Sequence, residues 1–216
     1  MDGVLVNTEP LHFRMWTEAF ARRGLAIGYE GYKDCIGCTL GFLLELILKN
    51  YGRDFRDDKT LFPEAMEIKT EIVEREGYPE IEGVREMLER MKAAGYRMAI
   101  ASSSPPRFIK MAMDNIGVAD YFELLNSGEN VAHSKPAPDI YLDTASKLGV
   151  KPEECIVLED STNGCRAAVA AGMTCVGFYN PDSGVQDLSI ACRVIDSMDD
   201  FTPELIDELL SGAEKD

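Results

Sequence analysis

Hydrophobic positions recur with two different periods along this chain, and the change falls near Gly83. Before that point the pattern is almost wholly helical. Leu11, Met15, Trp16, Ala19 and Phe20 share one helical face; Thr8 is a candidate N-cap, Glu9 and Pro10 suit the first turn, and Gly24 closes the segment. Further helices are predicted over residues 40–50 and 63–75, and the Gly-Tyr-Pro run at 77–79 marks a boundary. After Gly83 short apolar runs alternate with amphipathic segments. Strands are predicted over 96–101, 122–126, 155–158 and 174–178, with Val194 and Ile195 as an edge strand. Helices are predicted over 84–94, 107–116, 139–148 and 161–171, closed by Gly95, Gly117, Gly149 and Gly172, with another from Pro203. That alternation implies an α/β fold with a parallel, doubly wound sheet, whose ligands sit beyond the carboxyl ends of the strands.

Composition narrows the partners. Thirty-eight acidic residues against 22 basic ones give a formal net charge of −16. Nucleic acid and anionic membranes need a basic face, so neither is expected to bind. No apolar run approaches the ~18 residues of a membrane span, and no basic leader precedes an apolar stretch. Six cysteines in 216 residues are too sparse for a disulfide scaffold, so a reducing cytoplasm is the expected location. Cys35 and Cys38 form a lone C-x-x-C pair that reads as coincidence. A monomer or weak dimer is expected.

Three loops after predicted strands carry the candidate chemistry: Ser102-Ser103-Ser104, Ser134-Lys135-Pro136, and Glu159-Asp160. Singly they read as a turn, a solvated lysine and an N-cap. Together they supply hydroxyls, a cation and paired carboxylates at strand ends, the groups that phosphate and Mg²⁺ require. On so acidic a chain, a phosphorylated ligand has to be attracted locally by such groups.

Four motifs then fall in order. Asp2-Gly3-Val4-Leu5-Val6-Asn7-Thr8-Glu9 resembles the second half of the first motif of the haloacid dehalogenase superfamily, in the subgroup similar to β-phosphoglucomutase. Ile100-Ala101-Ser102, Ser134-Lys135-Pro136-Ala137-Pro138-Asp139 and Leu158-Glu159-Asp160-Ser161-Thr162-Asn163-Gly164 are similar to its remaining three. The resemblance covers nearly the whole chain. It implies a Rossmann-like parallel core, residues 1–7 and 80–216, with an inserted α-helical cap over 8–79. It also implies a Mg²⁺-dependent phosphatase for a small phosphorylated metabolite, such as a sugar or polyol monophosphate, with the cap excluding water.

Carried over by position, Asp2 would be the general acid/base and lend its backbone carbonyl to Mg²⁺. Asp160 would ligate the metal, and Glu159 would ligate it or hold a bound water. Ser102 and Lys135 would bind the transferring phosphoryl group, flanked by Ser103, Ser104 and Asn163. In the cap, substrate-binding roles fall to Thr8 and His12, which would help orient the acid/base aspartate, and to Lys69, which the cap would lower toward the substrate, although His12 and Lys69 also suit a solvated helix surface. The resemblance places the nucleophile two residues before Asp2, at the end of a central strand preceding Met1. A missing strand would leave buried groups of two neighbours unpaired at about 1–3 kcal/mol each, enough to exceed the roughly 5–15 kcal/mol stability of a domain. The expectation is therefore that an apolar, β-branched strand ending in aspartate lies directly upstream. Otherwise the chain is a silent phosphometabolite binder. Asn7 replaces the family's usual aspartate, and Leu40 stands near where the mutase carries an arginine for a distal phosphate. The missing arginine favours a phosphatase over a phosphosugar mutase.

Overall fold

The computed structural model describes residues 1–36 and 39–213, and these divide into two compact units. The first comprises Met1–Val6, Pro79–Asn180 and the chain from Gln186 onward; the second comprises Asn7–Tyr78 and Pro181–Val185.

The second unit is helical: α1 (Glu9–Ala21), the single turn α2 (Tyr29–Tyr32), α3 (Leu40–Tyr51) and α4 (Leu61–Glu76). Leu11, Met15, Trp16, Ala19 and Phe20 are all buried, so the helical face read from the sequence is the packed face. Trp16 stacks on Phe20, which in turn meets Phe55. Arg23 ties the helices together, donating to Asp58 Oδ2 and Glu64 Oε2 at 2.6 Å each. Thr8 is the N-cap residue of α1, but its side chain makes no capping hydrogen bond, because its backbone is already αR rather than extended. Thr39 does cap α3, its Oγ1 accepting from Phe42 N at 3.3 Å. Asn7 Nδ2 donates to Asp182 Oδ2 at 2.5 Å, one bond that joins the 181–185 segment to this unit. Cys35 is buried, while its sequence partner Cys38 lies outside the described residues.

The first unit alternates strand and helix: α5 (Val84–Ala93), β1 (Ala99–Ser102), α6 (Pro106–Asn115), β2 (Leu124–Ser127), α7 (Asp139–Leu148), β3 (Ile156–Glu159), α8 (Thr162–Ala170), β4 (Thr174–Phe178), β5 (Arg193–Ile195) and α9 (Pro203–Ala213). Every strand pair is parallel. Ile140, Ala145, Val157, Cys165, Ala168 and Cys175 pack α7 and α8 onto β3 and β4 as one apolar cluster. The small side chains of α8 let it lie close to the sheet.

The sheet is in two pieces. β1 pairs with β2, and β3–β4–β5 form a second sheet, so among the described residues β1 and β3 are each paired on one side only. Between them opens an apolar slot of about 420 Å³, lined by Met1, Leu88, Met91, Ile100, Val157 and Leu210 among others. At the slot, Met1–Val6 makes a compact turn: the Met1 carbonyl accepts from Val4, Leu5 and Val6, and Gly3 N donates to the Val6 carbonyl at 2.8 Å. Gly3 adopts φ +71°, which glycine tolerates without steric cost. Asn180 Nδ2 holds the turn through the Gly3 carbonyl at 3.0 Å.

Candidate active site

At the carboxyl end of β1 the backbone leaves the sheet through Ser102, Ser103 and Ser104. Ser102 Oγ is fixed in the turn by Ser104 N at 3.1 Å, and Ser127 Oγ, at the end of the paired β2, holds the Ser104 carbonyl at 2.7 Å. Two hydroxyls then converge on one carboxylate oxygen. Ser102 Oγ donates to Asp2 Oδ2 at 3.2 Å and Ser104 Oγ at 2.9 Å. Asp2 is thereby oriented by groups a hundred residues away in sequence, while Ser103 between them is exposed.

A second cluster lies at the end of β3. Glu159 is 6 % exposed, yet both its oxygens are satisfied. Oε1 takes the Lys135 ammonium and the Tyr141 hydroxyl, the latter at 2.8 Å; Oε2 takes Ser161 N at 3.1 Å and Ser161 Oγ at 2.9 Å. Burial pushes the Glu159 carboxyl up, but the Lys135 ammonium and the hydrogen bonds from Lys135 and Tyr141 oppose it, and the group stays ionised below the usual carboxylate range. Burial, reinforced by the Glu159 charge, pushes the Tyr141 phenol well above its ordinary value, so the phenol keeps its proton. Lys135 also reaches the Ala101 carbonyl at 3.3 Å, which joins the two clusters across the end of β1. Lys135 precedes a cis peptide to Pro136.

Asp160 follows directly, partly exposed, with its carbonyl accepting from Gln186 Nε2. Ser161, not Asp160, is the N-cap of α8, its Oγ accepting from Gly164 N at 3.0 Å. Asn163 is exposed on the first turn of α8. Of the residues expected in the first unit, Asp2, Ser102, Ser104, Lys135 and Glu159 thus form one connected network, with Asp160 adjoining it. Ser103 and Asn163 lie at its edge.

Thr8, His12 and Lys69 belong to the second unit. Thr8 and Lys69 are buried, which corrects the solvated-face reading of Lys69. His12 Nε2 lies 3.1 Å from Lys69 Nζ and Nδ1 lies 3.3 Å from Glu9 Oε1. An ammonium only donates, so Nε2 is the acceptor and Nδ1–H faces the carboxylate.

The sequence reading missed Tyr141, Ser161 as a carboxylate partner, and Gly164. A Cβ on Gly164 would sit 2.0 Å from the Glu159 carboxyl carbon. Asp2, Glu159 and Asp160 offer only oxygen atoms to a metal, the chemistry a hard divalent cation selects. Among the described residues, however, no three His, Cys, Asp or Glu side chains gather closely enough to hold a metal by themselves. The set fits a cation that also takes a backbone carbonyl and substrate or water oxygens.

Residues 1–178 match the haloacid dehalogenase-like hydrolase family. The chain belongs to that family. It is 32 % identical over 190 residues to hexitol phosphatase B of Escherichia coli (strain K12), covering 85 % of this chain and 82 % of that protein. The crystal structure of CbbY from Rhodobacter sphaeroides in complex with phosphate aligns with a TM-score of 0.76 at 27 % identity, over 92 % of each chain. β-Phosphoglucomutase from Clostridium difficile shares the fold, with a TM-score of 0.76 at 23 % identity over 98 % of this chain and 94 % of that one. The chain is therefore a haloacid dehalogenase-like hydrolase with the β-phosphoglucomutase-like architecture. No helix among the described residues is long and apolar enough to cross a membrane.

Proposed function

We propose that this hydrolase is a Mg²⁺-dependent phosphatase for a small phosphorylated carbohydrate, a sugar or polyol monophosphate. The observation that carries the reading is the junction of Asp2, Ser102, Lys135 and Glu159 at the ends of β1 and β3. It puts an oriented carboxylate beside a cation and hydroxyl donors where a phosphoryl group can be held. The hexitol phosphatase likeness supports the substrate class.

Phosphoryl transfer through a carboxylate needs a nucleophile and a separate acid/base. Asp2 fits the acid/base role: two hydroxyls fix its Oδ2, and it can protonate the departing ester oxygen and later take a proton from the hydrolytic water. The nucleophile is assigned to an aspartate two residues ahead of Asp2 in family register. Its carboxylate oxygen bonds to phosphorus as the ester oxygen leaves, and water then cleaves the aspartyl-phosphate. Ser102 and Lys135 would bind and offset the charge of the non-transferring oxygens. Asp160 and the Asp2 carbonyl would hold Mg²⁺, with Glu159 holding a bound water or a ligand position. Bound there, the cation would neutralise phosphoryl charge.

Two measurements test this. Calorimetric titration of Mg²⁺ into the chain should give binding that Asp160→Asn weakens, because one anionic charge is lost with little change of shape. A chain carrying an aspartate-ended strand ahead of Met1 should release phosphate from hexitol and sugar monophosphates only with Mg²⁺, and the 216 residues alone should not. Unchanged Mg²⁺ affinity in Asp160→Asn, or robust turnover by the 216 residues, would refute the assignment.

A further inference from the structure

Lys135 has three N–H donors, and three acceptors surround them: the Ala101 carbonyl at 3.3 Å, the Tyr141 hydroxyl at 2.9 Å and Glu159 Oε1. A phosphoryl oxygen approaching this ammonium must displace or share one of them. The three are not equivalent. Ala101 is fixed in β1, and Glu159 is anchored through its other oxygen by Ser161.

Tyr141 is neutral, and the direction of its hydroxyl is set by its neighbours. An ammonium can only donate and a carboxylate can only accept, so the hydroxyl accepts from Lys135 and gives its single proton to Glu159 Oε1 at 2.8 Å. Its ring lies 4.7 Å from the same Lys135 nitrogen and is buried within the apolar cluster of α7 and α8, so the hydroxyl has little freedom to swing away.

We propose that Tyr141 is a positioning residue for phosphoryl binding, its hydroxyl holding Glu159 in place while Lys135 turns from the carboxylate to a phosphoryl oxygen. Among the described residues, Lys135 and Tyr141 are the two side chains that donate to Glu159 Oε1. If Lys135 alone held that oxygen, each departure of the lysine would strand a buried carboxylate oxygen, and the cost would oppose ligand binding. With Tyr141 present, the oxygen stays hydrogen-bonded throughout the exchange. The inference rests on the phosphatase reading and adds a residue that the four motifs do not include.

Tyr141→Phe tests it, since the ring and its contact with Lys135 remain and only the hydroxyl is removed. The chain and the variant are titrated with inorganic phosphate at saturating Mg²⁺, then with Mg²⁺ alone. Phosphate affinity should fall about tenfold, the scale of one hydrogen bond to a charged group, with a smaller loss in Mg²⁺ affinity and a thermal midpoint close to that of the parent. Lys135→Met should weaken phosphate binding strongly, and adding Tyr141→Phe to it should cost nothing more, because the hydroxyl acts through the lysine's exchange. A hydroxyl that only supports the fold would lower the thermal midpoint and leave phosphate affinity unchanged; that result, or full additivity of the two substitutions, overturns the proposal. A parent chain that binds neither phosphate nor Mg²⁺ would refute the phosphatase reading and the inference together. Normal parent binding with an unaffected Phe variant refutes the inference alone.

Discussion

Gly164 stands in the first turn of α8, where replacing glycine by alanine normally raises helix stability by up to about 1 kcal/mol. Here the added methyl carbon would lie 2.0 Å from the Glu159 carboxyl carbon and 2.1 Å from its Oε2. Glu159 cannot yield easily, because Lys135, Tyr141 and Ser161 hold both oxygens. Gly164→Ala should therefore destabilise by about 1–3 kcal/mol, the usual cost of overpacking, and reduce Mg²⁺ affinity as well. Urea unfolding and calorimetry would measure the two effects, and the reversed sign of the stability change is the diagnostic. At this scale the sequence showed which residues carry charge at strand ends, since Asp2, Lys135, Glu159 and Asp160 announce themselves by type and position. It did not show what fixes them. Tyr141 sits at a helical core spacing beside Ile140 and reads as packing. The available signal was that a buried phenol needs a partner for its hydroxyl. Gly164 reads as one small residue among several in α8, and its steric role exists only once the Glu159 side chain folds over it.

Among the elements, α1 and α4 of the helical unit are clamped by Arg14, which donates to Glu76 Oε2 at 2.5 Å and Oε1 at 2.9 Å. The Arg14 and Arg75 guanidiniums lower the Glu76 carboxyl from its ordinary 4.5 to about 2. A carboxyl lowered on folding contributes stability that is complete above its unfolded value and is lost as pH falls through its folded one. This clamp should thus be intact at pH 6 and disappear between about pH 4.5 and pH 2. Because both side chains are more than two-fifths exposed, the effect should be small and should shrink with added salt. Glu76→Gln should flatten part of the acid limb of a urea-midpoint-against-pH curve, and an identical slope in parent and variant would count against the clamp. Element type was readable almost throughout. α7 and β4 begin and end at the residues read from the pattern, because Pro138 and Gly149 bracket the one and Gly172 precedes the other. β1 starts three residues later than its apolar run, at Ala99. Apolar character extends beyond the stretch that finds a strand partner. Nothing in the composition of residues 181–185 signals that they join the helical unit; the Asn7–Asp182 bond links positions 175 apart.

For the whole molecule, the largest departure from a continuous sheet is the slot between β1 and β3. An open slot of about 420 Å³ leaves apolar side chains such as Met91, Ile100 and Val157 without packing partners on one side. An apolar four- or five-residue strand fused ahead of Met1, parallel to β1 and β3, should fill it and pair both edges. Its expected effect is a rise in thermal midpoint of about 10 °C or more, read by calorimetry against a fusion with a glycine-serine segment of equal length. Equal midpoints for the two fusions would show that the slot does not take a strand. The alternating rhythm of strand and helix foretold the parallel core, while the two edges that β1 and β3 leave unpaired were legible only through the motif resemblance, which sets a central strand ahead of Met1. The slot has a practical consequence for residues 1–216 prepared by themselves. Unpaired strand edges recruit other chains, and the usual blunting devices, a lysine or a proline pointing outward, are missing from Ala99–Ser102 and Ile156–Glu159 alike. Solutions of the 216-residue chain should cloud or gel with rising concentration and warming, and a short soluble apolar peptide should keep them clear.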